Sequence, residues 1–138
     1  MSLAMRIAFG MAFLSASALF TAWTGWISLA APDKFGKYLG YTLEGVDGRN
    51  EIRAQYGGFF LAVTIASILA VLGIIPRRAG FLVNAIVFGG LIAGRIVSLA
   101  FDGGMDGYGA VIRALFWIDA TGFILSMAAL FLTRSQAT

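Results

Sequence analysis

Four long runs of apolar residues dominate the chain, and short polar segments separate them. The runs cover residues 7–31, 54–75, 79–101 and 111–132. About 20 apolar residues, at ~1.5 Å of rise each, are enough to cross the hydrocarbon core of a bilayer, so each run predicts a transmembrane helix. We therefore predict an all-α fold: an integral membrane four-helix bundle with antiparallel, up-down-up-down helices. This single membrane domain would occupy residues 1–138.

Polar and turn-forming residues mark the ends of the predicted spans. Pro32 begins a charged, glycine-containing stretch over residues 32–53, which we predict to be a polar outer loop with room for a short interfacial helix. Pro76 ends the second run, and a glycine-rich turn at residues 102–107 separates the third from the fourth. The first run is longer than the ~7–15-residue core of a signal peptide, so we interpret it as a span that is retained.

The composition agrees with a membrane location and removes several kinds of chemistry. Hydrophobic residues make up 59% of the chain and charged residues 12%, whereas soluble domains average about 45–50% and about 25%. The absence of cysteine and histidine excludes disulfides, thiol nucleophiles and the usual zinc or haem ligands. We expect no metal and no other cofactor. The basic residues behind the net charge of +3 are scattered, which does not favour nucleic acid as a partner.

The distribution of arginines predicts the orientation of the chain. With four spans, one side carries four arginines and no acidic residue: Arg6, Arg77, Arg78 and Arg134. Six of the seven acidic residues lie at or near the loops of the opposite side. By the positive-inside tendency, the arginine-bearing side is cytoplasmic. We therefore predict a multi-pass protein of the bacterial inner membrane with both termini in the cytoplasm.

Two charges lie within the predicted spans at similar depth. Arg95 is ~10 Å below the outer surface in the third span, and Asp119 is roughly 12–14 Å below it in the fourth. A lone charge at such depth costs at least ~2.5–3.5 kcal/mol, so the two side chains should pair or open onto a wet cavity. The pair has two interpretations, a structural ion pair that fixes the helix register and part of a binding site.

A larger group of polar residues is predicted to gather at the outer side of the bundle. Several arginines opening outward suit an anionic head group, since guanidinium binds phosphate or carboxylate in a forked geometry. The neighbouring acids, amide, hydroxyl and phenol would orient or neutralise them. The candidate ligand-binding residues are Asn50, Glu51, Arg53, Tyr56, Arg95, Ser98, Asp102, Arg113 and Asp119. Gly90 and Gly94 form a GxxxG pattern, which we interpret as a helix-packing surface.

Three short segments carry a resemblance to a known family. They read PDKF at residues 32–35, NEIRAQYGG at residues 50–58, and GRIVS at residues 94–98 with DG at residues 102–103. In this order and spacing they resemble the blocks of a family of small bacterial four-helix membrane proteins, domain of unknown function 4345. The resemblance implies four helices and membrane residence, and no established activity. Such families often show a glutamate in the fourth span, where this chain has Asp119, so the resemblance assigns Asp119 no role.

Three functional hypotheses remain open at this point. The first is a non-catalytic protein that binds a lipid-like or small anionic ligand, or scaffolds partners, through the outer polar cluster. A scaffold would agree with a more distant similarity in layout to the ergosterol-biosynthesis scaffold proteins. The alternative is a small proton-coupled transporter that uses Asp119. An intramembrane enzyme comes third, because we identify no nucleophile with an adjacent base. The expected partners are membrane lipids and either a second copy of the chain or another membrane protein.

Overall fold

The chain is all-helical over residues 1–133, the part that the computed structural model describes. It forms five helices: α1 (Leu3–Ala30), α2 (Pro32–Tyr38), α3 (Gly45–Val71), α4 (Arg77–Asp102) and α5 (Ala110–Leu132). All except the short α2 are long and apolar enough to cross a membrane. The predicted all-α fold with four such helices is confirmed. Arg134, which we used for the orientation, lies outside the described residues.

The polar segment after the first span contains more helix than we predicted. Pro32 is the first residue of α2, a position that proline favours because its missing N–H would have no helical partner there. The third helix begins at Gly45, whereas the apolar run begins at residue 54. The helix extends past the apolar run because polar residues can continue a helix beyond the hydrocarbon. Residues 32–53 therefore form α2, a connecting turn and the first turns of α3.

Buried hydroxyl and amide groups connect three of the long helices near their middle. The hydroxyls of Thr21 on α1 and Thr64 on α3 lie 2.8 Å apart. Asn84 on α4 is fully buried, accepts a hydrogen bond from Ser17 and donates one of 3.0 Å to Ser67. Such hydrogen bonds between helices contribute about 0.6–2 kcal/mol each in lipid. They fix the positions of α1, α3 and α4 relative to one another.

The two ends of the molecule differ in how tightly they are packed. We call the end with residues 31–44 and 103–109 the loop end, and the end with the N-terminus, residues 72–76 and Thr133 the arginine end. The main apolar core lies towards the arginine end and consists of Phe13, Leu14, Ala70, Phe81 and Ala129. The buried residues of α4 all lie between Gly80 and Phe88. The loop-end half of α4 therefore contributes no buried residue, which leaves space between the helices there.

The close approach of α3 and α4 at the arginine end depends on Gly80. A Cβ atom at Gly80 would lie 2.5 Å from the Cβ of Ala70 and 3.1 Å from Leu14 Cδ2. The Cβ of Ala70 cannot rotate away, so a Gly80→Ala variant must move α4 away from α3. We expect the free energy of unfolding in detergent to fall by about 1–3 kcal/mol.

The matched control for this variant is Gly90→Ala on the same helix. Apart from the neighbouring residues and nearby backbone of α4, no heavy atom of residues 1–133 lies within 4 Å of a Cβ at Gly90. Unfolding with SDS, followed by tryptophan fluorescence, should show a lower midpoint for Gly80→Ala and no decrease for Gly90→Ala. Equal midpoints for Gly80→Ala and the wild type would show that this contact does not limit the packing.

Candidate functional site

An ion pair between a buried carboxylate and a partly buried arginine joins α4 and α5 in the loop-end half. Arg95 Nε lies 2.6 Å from Asp119 Oδ2 and donates a hydrogen bond to it. Asp119 is 2% exposed, so its charge has almost no contact with solvent, and the guanidinium of Arg95 compensates it. The predicted pairing of these two residues is confirmed. Within residues 1–133 the terminal nitrogens of Arg95 donate no hydrogen bond, so the guanidinium keeps donors for another acceptor.

A π-helical segment positions Tyr56 beside this pair. Arg53–Gly58 forms a π-helical stretch within α3, an irregularity often found at functional sites. The next residue, Gly57, lets α3 approach α1, because a Cβ there would lie 2.5 Å from Leu29 Cδ2. The ring of Tyr56 packs between Phe35 of α2 and Phe60 of α3, with centroids 5.2 Å and 6.4 Å away. The NE-x-R-x-x-YGG segment thus bends α3 so that a phenol faces the interior.

A cavity of about 580 Å³ lies next to the ion pair. Most of its wall is apolar or aromatic, and the polar part comes from Lys34, Tyr41, Tyr56, Arg95 and Asp119. The apolar part of the wall comes from all five helices and includes Phe20, Trp23, Ile27, Phe35, Tyr38, Phe60, Leu91, Val111, Ile112 and Leu115. Trp23 is 65% exposed, so this part of the cavity wall lies at the outer surface of the molecule. We call it the loop-end cavity.

A second cavity of about 330 Å³ adjoins the first on the other side of Arg95. The two cavities share Tyr41, Tyr56, Leu91, Arg95 and Ile112. The smaller one also has a more polar wall, formed in part by Gly94, Ser98, Asp102 and Tyr108. Arg95 and Tyr56 therefore stand between two chambers, one mainly apolar and one partly polar.

The rim of the smaller cavity is held by a hydrogen bond across the turn that joins α4 to α5. The phenol of Tyr108 donates to Asp102 Oδ2 over 2.5 Å. This bond to a carboxylate raises the pKa of Tyr108 above its ordinary value. Gly103, which follows Asp102, has a φ of +76° and so ends α4 in the left-handed conformation that glycine adopts without strain. The turn thereby returns Tyr108 to the end of α4.

The structure brings five of the nine predicted site residues together. Tyr56, Arg95, Ser98, Asp102 and Asp119 line one or both of the two cavities. The other four, which line neither, are Asn50, Glu51, Arg53 and Arg113. All four are exposed. The nine predicted residues therefore do not line one common cavity, and ligand binding by them stays a prediction.

Arg53, one of these four residues, contacts α1 instead. Arg53 Nε donates a hydrogen bond of 3.2 Å to the carbonyl of Leu29 at the end of α1.

Sequence reasoning missed the apolar wall of the cavity and the tyrosines of the turns, Tyr41 and Tyr108. A signal for the wall was present, because residues 20, 23, 24 and 27 of α1 follow helical spacing along one face.

Within residues 1–133, the GxxxG pattern of α4 does not pack closely against another helix. Apart from the neighbouring residues and nearby backbone of α4, no heavy atom of residues 1–133 lies within 4 Å of a Cβ at Gly90 or Gly94. The close approach of α4 and α5 uses Gly122 instead, where a Cβ would lie 2.7 Å from the ring of Phe88. For contacts within one chain, the packing that we predicted for the GxxxG pattern is wrong, and Gly94 instead lines the smaller cavity.

These features define an all-helical membrane protein with four helices long enough to cross a bilayer and an ion pair between two cavities in one half. The chain belongs to the family of a domain of unknown function, DUF4345, whose model matches residues 10–130. This confirms the family resemblance of the three sequence segments. The chain matches no curated protein and no solved structure.

Proposed function

We propose that this protein binds an amphipathic ligand, with an anionic head group and an apolar chain, in the loop-end cavity. The observation that carries the proposal is the position of Arg95 in the wall of a cavity that is otherwise mostly apolar. A volume of about 580 Å³ lies in the range of ligand pockets, about 300–1,000 Å³. The protein would act as a non-catalytic binding or carrier component of its membrane.

The ion pair supports this proposal because it compensates the charge of Arg95 and still leaves the terminal nitrogens of its guanidinium as hydrogen-bond donors. Asp119 accepts one hydrogen bond from Arg95 Nε and compensates its charge while the cavity holds no anion. The remaining guanidinium donors are close to the apolar wall, where a carboxylate or phosphate meets little competing water. A bound anion would then share Arg95 with Asp119, and the phenol of Tyr56 would supply a further donor.

The shape of the loop-end cavity favours a ligand that enters from the lipid. Trp23 lines the cavity and is 65% exposed, so a chain could pass between α1 and α5 without crossing the polar rim. Lys34, at the start of the connecting segment, lines the same cavity and would attract an anionic head group. This arrangement suits a lipid or a fatty acid better than a small, fully polar metabolite.

We further infer that the loop end faces outward and that both termini lie in the cytoplasm of a bacterial inner membrane. The support is the arrangement of charge: Arg6, Arg77 and Arg78 lie at the arginine end, and the acidic residues lie in the loop-end half. A preference of Lys and Arg for the cytoplasmic side would orient the helices in this way. The ligand would then come from the outer leaflet.

Proton-coupled transport is the second candidate, and the buried carboxyl of Asp119 favours it. Polar groups also continue towards the middle of the molecule, where Thr64 and Asn84 are buried. Flux of protons in liposomes that disappears in an Asp119→Asn variant would favour transport over binding alone.

The first experiment on the binding proposal is native mass spectrometry of protein purified gently from its own membrane. Ile112 lines both cavities, so the indole of an Ile112→Trp variant should fill the space. We expect the wild type to retain a bound molecule and Ile112→Trp to lose at least about 90% of it, which corresponds to a change of about 1.4 kcal/mol in binding.

The matched control is Ile118→Trp on the same helix. Ile118 is 38% exposed and lines neither cavity, so this variant should retain the bound molecule at the wild-type level. Wild-type protein without any bound molecule, or equal retention by Ile112→Trp, would contradict the proposal. A mass that is retained by the wild type alone would also identify the ligand.

A further inference from the structure

Three arginines surround one cavity at the arginine end, far from the loop-end cavity. Arg6, Arg77 and Arg78 line a space of about 300 Å³ together with Pro76 and Thr133. Gly10 and Phe81, which are buried, form part of its wall. The three arginines therefore line one cavity with a packed apolar wall and are not dispersed over the surface.

Helix termini add positive potential at the same place. Both α1 and α4 begin at the arginine end, and the positive end of a helix dipole is its N-terminus. The first turn of α4 contains Arg77 and Arg78, has no acidic residue and receives no hydrogen bond from a capping side chain. Cations are unfavourable at a helix N-terminus. An anion at this place would offset both the arginines and the dipole.

Carbonyl groups at the end of α5 accept hydrogen bonds from two of these arginines. Arg6 Nη1 donates to the carbonyl of Leu132 and Arg78 Nη1 to that of Leu130, each over a long 3.4 Å. Within residues 1–133, the exposed side chain of Arg77 makes no hydrogen bond, and its guanidinium has five N–H donors. None of the seven Asp and Glu residues lies at this end.

We propose that this arginine-end cavity binds a phosphate group, carried by an anionic phospholipid of the adjacent leaflet. Guanidinium groups bind phosphate in a forked geometry, and an uncapped helix N-terminus adds backbone N–H donors. The apolar part of the wall, from Ile7 and Phe81, suits the first carbons of an acyl chain. The position at the end of four membrane-length helices is the depth at which lipid head groups lie.

A preference for cytoplasmic arginines would account for the presence of three arginines at this end, but not for their position around one cavity.

The proposed phosphate site is also independent of the proposed ligand site at the loop end. The two cavities share no residue, so each site can be removed without changing the other.

The test compares two lipids with identical acyl chains, phosphatidylglycerol and phosphatidylcholine. Delipidated protein in a neutral detergent is titrated with each lipid, and the bound lipid is counted by native mass spectrometry. We expect phosphatidylglycerol to bind at least about tenfold more tightly. Replacing one arginine, as Arg77→Gln or Arg78→Gln, should weaken this binding about fivefold, the effect of roughly one basic residue near an anionic membrane.

Two further variants test whether the lipid binds at the arginine-end cavity and not elsewhere on the protein. Lys37→Gln removes one exposed positive charge at the loop end, and Ile112→Trp fills the loop-end cavity. Both variants should keep the arginine-dependent part of phosphatidylglycerol binding, which is the part that Arg77→Gln weakens, and any further loss in Ile112→Trp belongs to the loop-end cavity. Because Arg77 makes no hydrogen bond within residues 1–133, Arg77→Gln should fold normally, which circular dichroism and the SDS unfolding midpoint check.

Three outcomes would overturn the proposal. The first is equal binding of phosphatidylglycerol and phosphatidylcholine to the wild type, and the second is a wild-type preference for phosphatidylglycerol in both arginine variants. The third is a loss of phosphatidylglycerol binding in Lys37→Gln that equals the loss in the arginine variants. A titration with inorganic phosphate distinguishes the source of the anion. If millimolar phosphate displaces the lipid and Arg77→Gln weakens phosphate itself, the phosphate site stands and the free ion is its natural occupant.

Discussion

Replacing Asp119 with alanine is expected to be the most destabilising change in the loop-end half of the protein. Asp119 is 2% exposed and carries the single carboxylate within 4 Å of Arg95 in residues 1–133. Its removal leaves a guanidinium in a largely apolar cavity without a counter-charge. Breaking a fully buried pair costs on the order of 3–5 kcal/mol of unfolding free energy, and because the Arg95 side chain is 22% exposed we expect a loss of at most about 3 kcal/mol. SDS unfolding in detergent micelles, followed by circular dichroism, measures the loss.

A double variant shows whether the loss comes from the unpaired charge. In Arg95→Met with Asp119→Leu both charges are gone, and apolar side chains replace them, an unbranched one at residue 95 and one close to the size of aspartate at residue 119. We expect this variant to recover most of the stability, because apolar replacement of a buried pair is often neutral or stabilising. A double variant as unstable as Asp119→Ala alone would show that the two residues stabilise the fold through other contacts.

The ion pair is also the part of the site that the sequence predicts best. The topology of four spans places Arg95 and Asp119 at similar depth, and the cost of a lone charge in lipid predicts that they pair or open onto a wet cavity. The structure has them 2.6 Å apart. This prediction needs only the order of the spans, a rise of ~1.5 Å per residue and the energy of burying a charge.

The start of α3 and the placement of Tyr56 could not be obtained in the same way. Hydropathy identifies the part of a helix that lies in lipid, but α3 begins at Gly45 and passes through polar residues first. A regular helical period also cannot predict the π-helical stretch Arg53–Gly58, which changes the faces on which the residues after it lie. The direction of Tyr56 therefore depends on how α3 packs against α1.

The cavities themselves depend on tertiary structure. Tyr41 and Tyr108 come from turns whose paths no local pattern specifies, and both reach the walls near Arg95. In contrast, Arg53 and Arg113 have the residue type that anion binding needs but lie on exposed parts of their helices. Six residues separate Arg113 from Asp119, which turns its side chain about 120° away on an α-helix. Residue type alone therefore does not show which of the predicted residues line the cavities.

The charge of Arg95 should decide which amphiphiles the loop-end cavity accepts. In a double variant, Arg95→Gln with Asp119→Asn, two amides replace the ion pair, so the hydrogen bond can remain while both charges disappear. We expect the stability to stay within about 1 kcal/mol of the wild type, the net value of one hydrogen bond. Binding of dodecanoate should weaken about 10- to 100-fold, since a hydrogen bond to a charged group contributes about 1.5–3 kcal/mol.

Dodecanol and Arg113→Gln provide the controls for this prediction. Dodecanol has the same chain without the carboxylate, so the wild type should prefer dodecanoate and the double variant should bind both amphiphiles equally, as measured by displacement of a fluorescent fatty acid at neutral pH. Arg113 is exposed and lines neither cavity, so Arg113→Gln should keep the wild-type preference. If the double variant also kept it, Arg95 would not be the anion-binding group, and the ion pair would be structural.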